Sequence, residues 1–187
     1  QSDASQTMGA QVGSEGLYFD RLVPGAYYWL TETKVPEGYV AMAPLFFQFN
    51  YNQTSGATTL TYDARTDMTL TGSGGKATLT VSDAPTDIAV RKVDENGDAI
   101  ANATLALYTD VSGAPGAYIN NTRFVTATDD AGTANVDESI HRYTGLLKAG
   151  ASYWLKEESA PSGYVVAAPI RFTVGTDAAT QTLVMTD

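Results

Sequence analysis

The strongest constraint on this chain is an internal repeat. Tyr28-Trp29-Leu30-Thr31-Glu32-Thr33-Lys34-Val35-Pro36-Glu37-Gly38-Tyr39-Val40 returns 125 positions later as Tyr153-Trp154-Leu155-Lys156-Glu157-Glu158-Ser159-Ala160-Pro161-Ser162-Gly163-Tyr164-Val165. The same offset relates Gly25 to Gly150 and Ala43-Pro44-Leu45 to Ala168-Pro169-Ile170. Each copy closes on a similar segment, Thr78-Leu79-Thr80-Val81-Ser82-Asp83 and Gln181-Thr182-Leu183-Val184-Met185-Thr186-Asp187. That second offset is 104, so the first copy carries about 21 extra residues in between. Two copies are too few to stack into a solenoid. They read as two tandem domains of one kind, and 187 residues suffice for both. The boundary falls at Ala84-Pro85-Thr86-Asp87, where a proline ends one strand ladder before the next begins. This gives domains 1–84 and 85–187.

The repeated unit is a β domain. Hydrophobic residues make up 43% of the chain, enough for packed cores. Eleven Tyr, 17 Gly and many Thr and Val favour strands. No segment sustains an apolar period near 3.6, and residues 134–143 are the best place for a single helical turn. Strands are expected at Ile88–Val93, Thr104–Tyr108, Arg123–Thr128, Tyr153–Glu157, Ile170–Val174 and Thr182–Thr186, most of them separated by Gly, Asp, Ser or Pro. Asp94-Glu95-Asn96-Gly97-Asp98 reads as a hairpin turn and lacks the spacing of a calcium loop. Several short strands per roughly 100 residues indicate an all-β fold of two tandem sandwiches.

The copies are not equally complete. Lys92 precedes Gly132 by 40 residues, whereas Gly16, the matching glycine of the first copy, has only 15 residues ahead of it. The first domain is therefore expected to lack its N-terminal strands, which were cleaved, omitted or supplied by another chain. A first copy that is shorter and rearranged is the alternative. Gln1–Val12 does not read as a signal peptide.

Whole classes of function are excluded. The net charge of −10 lacks the basic footprint of a nucleic-acid binder and disfavours contact with an anionic membrane. No apolar run has the length of a membrane span. With no cysteine there is no disulfide framework, thiol nucleophile or Cys-ligated zinc. His141, the one histidine, leaves little room for imidazole chemistry or a His-based metal site. No metal and no cofactor is expected. The sequons beginning at Asn52, Asn102 and Asn120 read as chance matches.

Strand parity carries the chemistry. Residues i, i+2 and i+4 of a strand share a face. Lys92 thus continues the face of Ile88 and Val90, Glu157 that of Tyr153 and Leu155, and Asp187 that of Leu183 and Met185. Glu32 and Asp83 repeat the two acids in the first copy. An ionisable group on an apolar face must neutralise, pair or react. A desolvated amine is a nucleophile, and a carboxyl kept protonated in the same environment can polarise another carboxyl. The expectation is a Lys92–Asp187 amide, with Glu157 shuttling protons and water leaving. The fold holds the reactants together, and each domain reacts once, so the chain is not an enzyme in the turnover sense.

These residues lie in motifs that resemble a known family. Tyr-x-Leu-x-Glu-x-x-Ala-Pro-x-Gly-Tyr at Tyr153–Tyr164 looks like the E-box of collagen-adhesin B-type domains. They are also called prealbumin-like or SpaA-type domains of Gram-positive surface adhesins and pilins. Tyr28–Tyr39 matches apart from Val35, which replaces the usual Ala. Val90-Arg91-Lys92-Val93-Asp94-Glu95-Asn96-Gly97 resembles the family's opening strand and turn. Thr128-Asp129-Asp130-Ala131-Gly132, followed by Leu147-Lys148-Ala149-Gly150, resembles its Thr-Asp-x-x-Gly and Leu-x-x-Gly elements. The resemblance implies immunoglobulin-like (prealbumin-like) sandwiches and an isopeptide bond between Lys92 and Asp187 assisted by Glu157. The family's last-strand partner is commonly Asn; an Asp there means that water rather than ammonia is lost. In the first copy no lysine precedes Glu32, Lys34 lies outside the core-facing positions, and Lys76 has the opposite parity to Asp83. No bond is expected to close within residues 1–83; Asp83 would join a lysine on the missing strands.

The resemblance also implies a function. The chain reads as a structural stalk segment of an adhesin or pilus subunit at the bacterial cell wall surface. Its partners would be neighbouring domains or subunits of a surface fibre. The alternative is a module binding a host glycan or matrix protein through the first domain or the Asn50–Lys76 insertion. Trp29 and Trp154 lie opposite the Glu face and are expected to pack under a loop or against a neighbouring domain rather than form a ligand platform.

Overall fold

A computed structural model of the chain describes residues 19, 22–65, 67–73, 76–129 and 137–187. Fifteen strands follow one another in these residues. They are β1 (Tyr27–Leu30), β2 (Tyr39–Val40), β3 (Leu45–Asn52), β4 (Ala57–Tyr62), β5 (Met68–Ser73), β6 (Lys76–Val81), β7 (Ala84–Pro85) and β8 (Asp87–Val93). There follow β9 (Thr104–Val111), β10 (Ala114–Tyr118), β11 (Phe124–Val125), β12 (Ile140–Thr144), β13 (Ser152–Ser159), β14 (Ile170–Thr173) and β15 (Gln181–Thr186). No helix occurs among the described residues, and the fold is all-β.

The chain forms two compact units. The smaller holds the described residues up to Leu30 together with Pro44–Thr80; the larger holds Thr31–Ala43 together with Val81–Asp187. Thr31–Ala43 and the last residues of the first repeat copy are thus built into the larger unit.

In the smaller unit β1, β3 and β4 form an antiparallel sheet in that order. Leu45 and Phe47 alternate inward on β3 and are buried, as is Met68. The Asn50–Lys76 insertion supplies β4 and β5, and β5 pairs with β6.

In the larger unit two sheets enclose one core. One has the order β12-β8-β15; the other runs β10-β9-β13-β14, with β11 also on β9. Ile88, Val90, Leu183 and Met185 meet Leu105, Leu107, Leu155 and Phe172 across the interior. Each such side chain contributes about 1.5–3 kcal/mol when removed from water. β15 lies parallel to β8, in register from Gln181↔Ile88 to Thr186↔Val93.

Several expectations from sequence are corrected. The helical turn considered at residues 134–143 gives way, in its described part, to β12, which pairs with β8 and buries Tyr143. Arg123–Thr128 contains only the two-residue β11, because the Thr126 side chain leaves the pattern and takes the Ala103 amide at 3.0 Å. Asn96-Gly97 makes the expected turn, and the hairpin it closes is minimal. The Asp94 carboxylate accepts the Asn96 and Asp98 amides, each at 2.9 Å, and a single bridge, Val93↔Ala99, closes the loop. The Ile100 amide donates to Lys92 O at 3.0 Å, and the pairing extends no further because β12 takes that edge of β8 up to Arg91. The matches made to Gly16 and Gly132, and the side chain of Lys76, lie outside the described residues.

Candidate functional site

Three strands bring Lys92, Glu157 and Asp187 together. Lys92 follows Ile88 and Val90 on the inward face of β8 and is 1% exposed. Glu157 follows the fully buried Leu155 on β13, where the pairing with β9 shifts register between Glu157 and Ser159. Asp187 lies just beyond β15, and its amide donates to Val93 O at 3.1 Å, so the β8–β15 ladder runs one residue past Thr186.

The Lys92 ammonium Nζ donates to Asp187 Oδ1 and lies 3.5 Å from Glu157 Oε2. The Lys92 and Glu157 side chains are wholly sequestered, and that of Asp187 is 3% exposed. Glu157 Oε2 also accepts the Ala167 amide at 2.6 Å. The remaining oxygens, Glu157 Oε1 and Asp187 Oδ2, are buried with no hydrogen-bond partner. Isolated ions buried this deeply cost several kcal/mol each. A nucleophile, an electrophilic carboxyl and a second acid at this spacing are the parts needed for amide formation.

The Ala167 amide is a component that the sequence reading missed. Its counterpart, Met42, lies 125 positions earlier, and the Met42 amide donates to Glu32 Oε2 at 3.4 Å. The repeat offset could have found it. Both copies therefore anchor the E-box acid on the amide ten residues downstream. Glu32 is half-buried. Burial first, and then the neighbouring Asp83 carboxylate, hold its carboxyl above the ordinary range. Lys34 is exposed. The first copy thus places the two acids together.

The outer face of the β13 sheet carries ion pairs. Asp110 accepts Arg171 Nε at 2.8 Å and the Trp154 indole at 2.7 Å, which hold its carboxyl down to about 2. Arg123 and then Tyr108 hold Glu158 down to about 2 in the same way. Trp154 is therefore a fixed structural group. Its counterpart Trp29 is 66% exposed, its ring tilted against that of Phe46 with centroids 4.9 Å apart. His141 is half-buried against Phe124, with ring centroids 3.9 Å apart, and burial lowers its pKa. Among the described residues no three His, Asp or Glu side chains gather as a metal site would require.

Similarity to known proteins follows the same geography. The chain is similar to the C-terminal fragment of the pilus adhesin SpaC from Lactobacillus rhamnosus GG, at 16% identity and a TM-score of 0.40, over 89% of this chain and 78% of that one. It is also similar to the group B streptococcus pilus 2b backbone protein, at 15% identity and a TM-score of 0.42, over 83% of this chain and 52% of that one. For BcpA, the major pilin subunit of Bacillus cereus, the values are 14% and 0.37, over 82% of this chain and 39% of that one. The chain thus spans about half or less of the last two proteins. No curated protein matches it in sequence. A family model, the prealbumin-like fold domain SpaA, matches residues 86–187, a span that contains the whole β8–β15 sandwich together with Lys92, Glu157 and Asp187. That span is more than half of the chain, and the chain belongs to the SpaA prealbumin-like fold domain family.

Proposed function

We propose that the chain is a stalk segment of a Gram-positive surface adhesin or pilus subunit, and that residues 85–187 cross-link themselves through a Lys92–Asp187 amide. The observation that carries this reading is the sequestered Lys92–Glu157–Asp187 group joining the first and last strands of the sandwich. The family supports it, as do similarities to proteins described as a pilus adhesin, a pilus backbone protein and a major pilin. The first repeat copy is read as a second domain of the same kind, in which Glu32 and Asp83 repeat the two acids.

The reaction needs a neutral Lys92 amine and protonated acids. The Lys92 Nζ lone pair attacks Asp187 Cγ while Glu157 donates its proton to a carboxyl oxygen of Asp187. Glu157 then takes a proton from the attacking nitrogen, returns it to the departing hydroxyl, and recovers its own proton from the remaining hydroxyl as the amide carbonyl forms. The Nζ–Cγ bond forms, the Cγ–O bond breaks, and one water leaves. The Ala167 amide holds Glu157 in place throughout. Exclusion of solvent strengthens each of these interactions. The bond forms once per chain, and the partners are the adjoining domains or subunits of a fibre outside the cell.

Intact mass under denaturing conditions, followed by mapping of the joined peptide, tests this. The chain should be one water lighter than its sequence, with Lys92 joined to Asp187, and Glu157→Ala should restore the full mass. A full mass for the unsubstituted chain would overturn the cross-link.

One observation favours a second reading, a host-ligand module. Tyr27, Trp29 and Phe46 present a contiguous ring face on the smaller unit, 62%, 66% and 45% exposed, with Tyr27 stacked on Phe46 and Trp29 tilted against it. Exposed patches of this kind mark interaction sites. Binding to a glycan or matrix-protein panel that Trp29→Ala abolishes would put this reading first; no binding on such a panel would remove it.

A further inference from the structure

The two copies of the E-box turn have the same conformation and different surroundings. In the first copy Tyr39 N donates to Pro36 O at 3.3 Å, and in the second Tyr164 N donates to Pro161 O at 3.1 Å. Gly38 and Gly163 both have φ in the left-handed region, +85° and +95°. Tyr39 and Tyr164 are 41% and 44% exposed, so both rings face outward alike. The next residue breaks the equivalence: Val40 is 5% exposed, whereas Val165 is 84% exposed.

The cause of the difference lies in β7. Ala84 and Pro85 follow directly on Asp83 and pair antiparallel with Val40 and Tyr39. Thr86 completes the junction. Its amide donates to Gly38 O at 2.8 Å, its hydroxyl lies 3.2 Å from the same oxygen, and its carbonyl accepts the Gly145 amide at 2.8 Å. Gly38 is packed so tightly there that a Cβ would come within 2.2 Å of Gly145 O. In the second copy a Cβ on Gly163 would meet nothing within 4 Å, and among the described residues no strand pairs with Tyr164–Val165. Asp187 occupies the position of Asp83, so the residues equivalent to Ala84-Pro85-Thr86 are those that would come immediately after it.

We infer that Gly163–Val166 is a docking edge for the connector of a further domain of this kind, entering directly after Asp187 as Ala84-Pro85-Thr86 enters after Asp83. The occupant is an extended segment of two paired residues followed by a threonine-like donor. Its backbone N–H reaches Gly163 O, and its first residue covers Val165. This edge sets where one domain joins the next, independently of any cross-link.

The test uses the full chain, extended after Asp187 by a second run of residues 84–187, with amide hydrogen exchange as the readout. The amide of the appended threonine should be protected to within about tenfold of the Thr86 amide in the same molecule. Val165→Asp should abolish that protection while leaving the melting temperature of the unextended chain unchanged. The inference is overturned if the appended threonine exchanges like an unfolded amide while the appended β9 amides are protected. It is equally overturned if Tyr164–Val166 of the unextended chain become protected as protein concentration rises, which would assign the edge to a second copy of the chain.

Discussion

Glu157→Gln separates the covalent bond from everything else at the site. The amide is isosteric with the acid, and its oxygen can still accept the Ala167 N–H that Glu157 accepts at 2.6 Å. Its nitrogen can donate to a buried carboxyl oxygen such as Asp187 Oδ2, which otherwise has no partner. Lys92 and Asp187 remain as an ion pair. Only the proton shuttle is lost, so the variant should keep its fold and carry the full mass. The cross-link would close a loop between residues 95 positions apart. In the chain-entropy account a covalent closure of about 100 residues is worth about 4.7 kcal/mol, acting through the unfolded state. Glu157→Gln should therefore lose about 4–5 kcal/mol, which for a domain of this size lowers Tm by roughly 20–35 °C. Its denaturant slope should rise, because an open unfolded chain exposes more surface than a closed one. Guanidinium and thermal melts, run beside the intact mass of each protein, measure all three effects. If a parent one water lighter and a full-mass variant melted within a few degrees of each other, loop closure would not be the source of stability.

Other consequences can be read separately. Asp110 and Glu158 are held down to about 2, so the stability they contribute is complete above their unfolded values of 3.8 and 4.5 and is lost as pH falls through about 2. Melting temperature should fall between pH 4.5 and 2, and the Asp110→Asn, Glu158→Gln double variant should flatten that fall. Glu32 is held above its unfolded value of 4.5 and so opposes folding once it ionises. Glu32→Gln should raise Tm at pH 7, and the gain should vanish below pH 4.5. Tyr143→Phe leaves the Thr122 carbonyl without the buried hydroxyl that donates to it and should cost about 1–3 kcal/mol by chemical denaturation. In single-molecule pulling, Lys92→Met should release up to about 3.3–3.6 Å for each residue between Asp87 and Asp187, a step absent from the cross-linked parent.

Strand parity is a local property, and it made the site legible. Lys92, Glu157 and Asp187 each extend an apolar alternation within a single strand, and no tertiary information was needed to point them inward. The strands that escaped are those whose existence depends on partners. Ala114–Tyr118 contains Pro115 and Gly116 and has poor strand propensity. Thr109 Oγ1 takes the Ala117 amide at 2.9 Å, and the ladder with β9 is irregular between Pro115 and Tyr118. Ile140–Thr144 is a strand because β8 offers it a free edge and the core accepts Tyr143. Asn96-Gly97 closes only a minimal hairpin because β12 takes the same edge of β8 up to Arg91, leaving Lys92 and Val93 to meet Ile100 and Ala99. The grouping of Thr31–Ala43 with the larger unit was also out of reach. It depends on backbone approach at Gly38 and Gly145, residues separated by more than 100 positions.

The same position serves reactivity and mechanics. β8 opens the sandwich and β15 closes it, and the two run parallel side by side. Tension entering before Asp87 and leaving after Asp187 therefore pulls the two strands past each other and loads the whole ladder in shear. With an amide at Lys92, the covalent path runs from Asp87 to Lys92 and crosses directly to Asp187, and the chain between them carries no load. The loaded residues then lie in β8, which is hydrogen-bonded to β12 on one side and β15 on the other. A bond at the opposite end, near Ile88 and Gln181, would instead route the load through β15, which has a single neighbour in the sheet. The central strand resists extraction on two edges, and it is also where a lysine can be wholly excluded from water. On the proposed cross-link, the burial of Lys92 and the pairing that makes the loaded strand hard to extract are two results of placing Lys92 near the end of the middle strand.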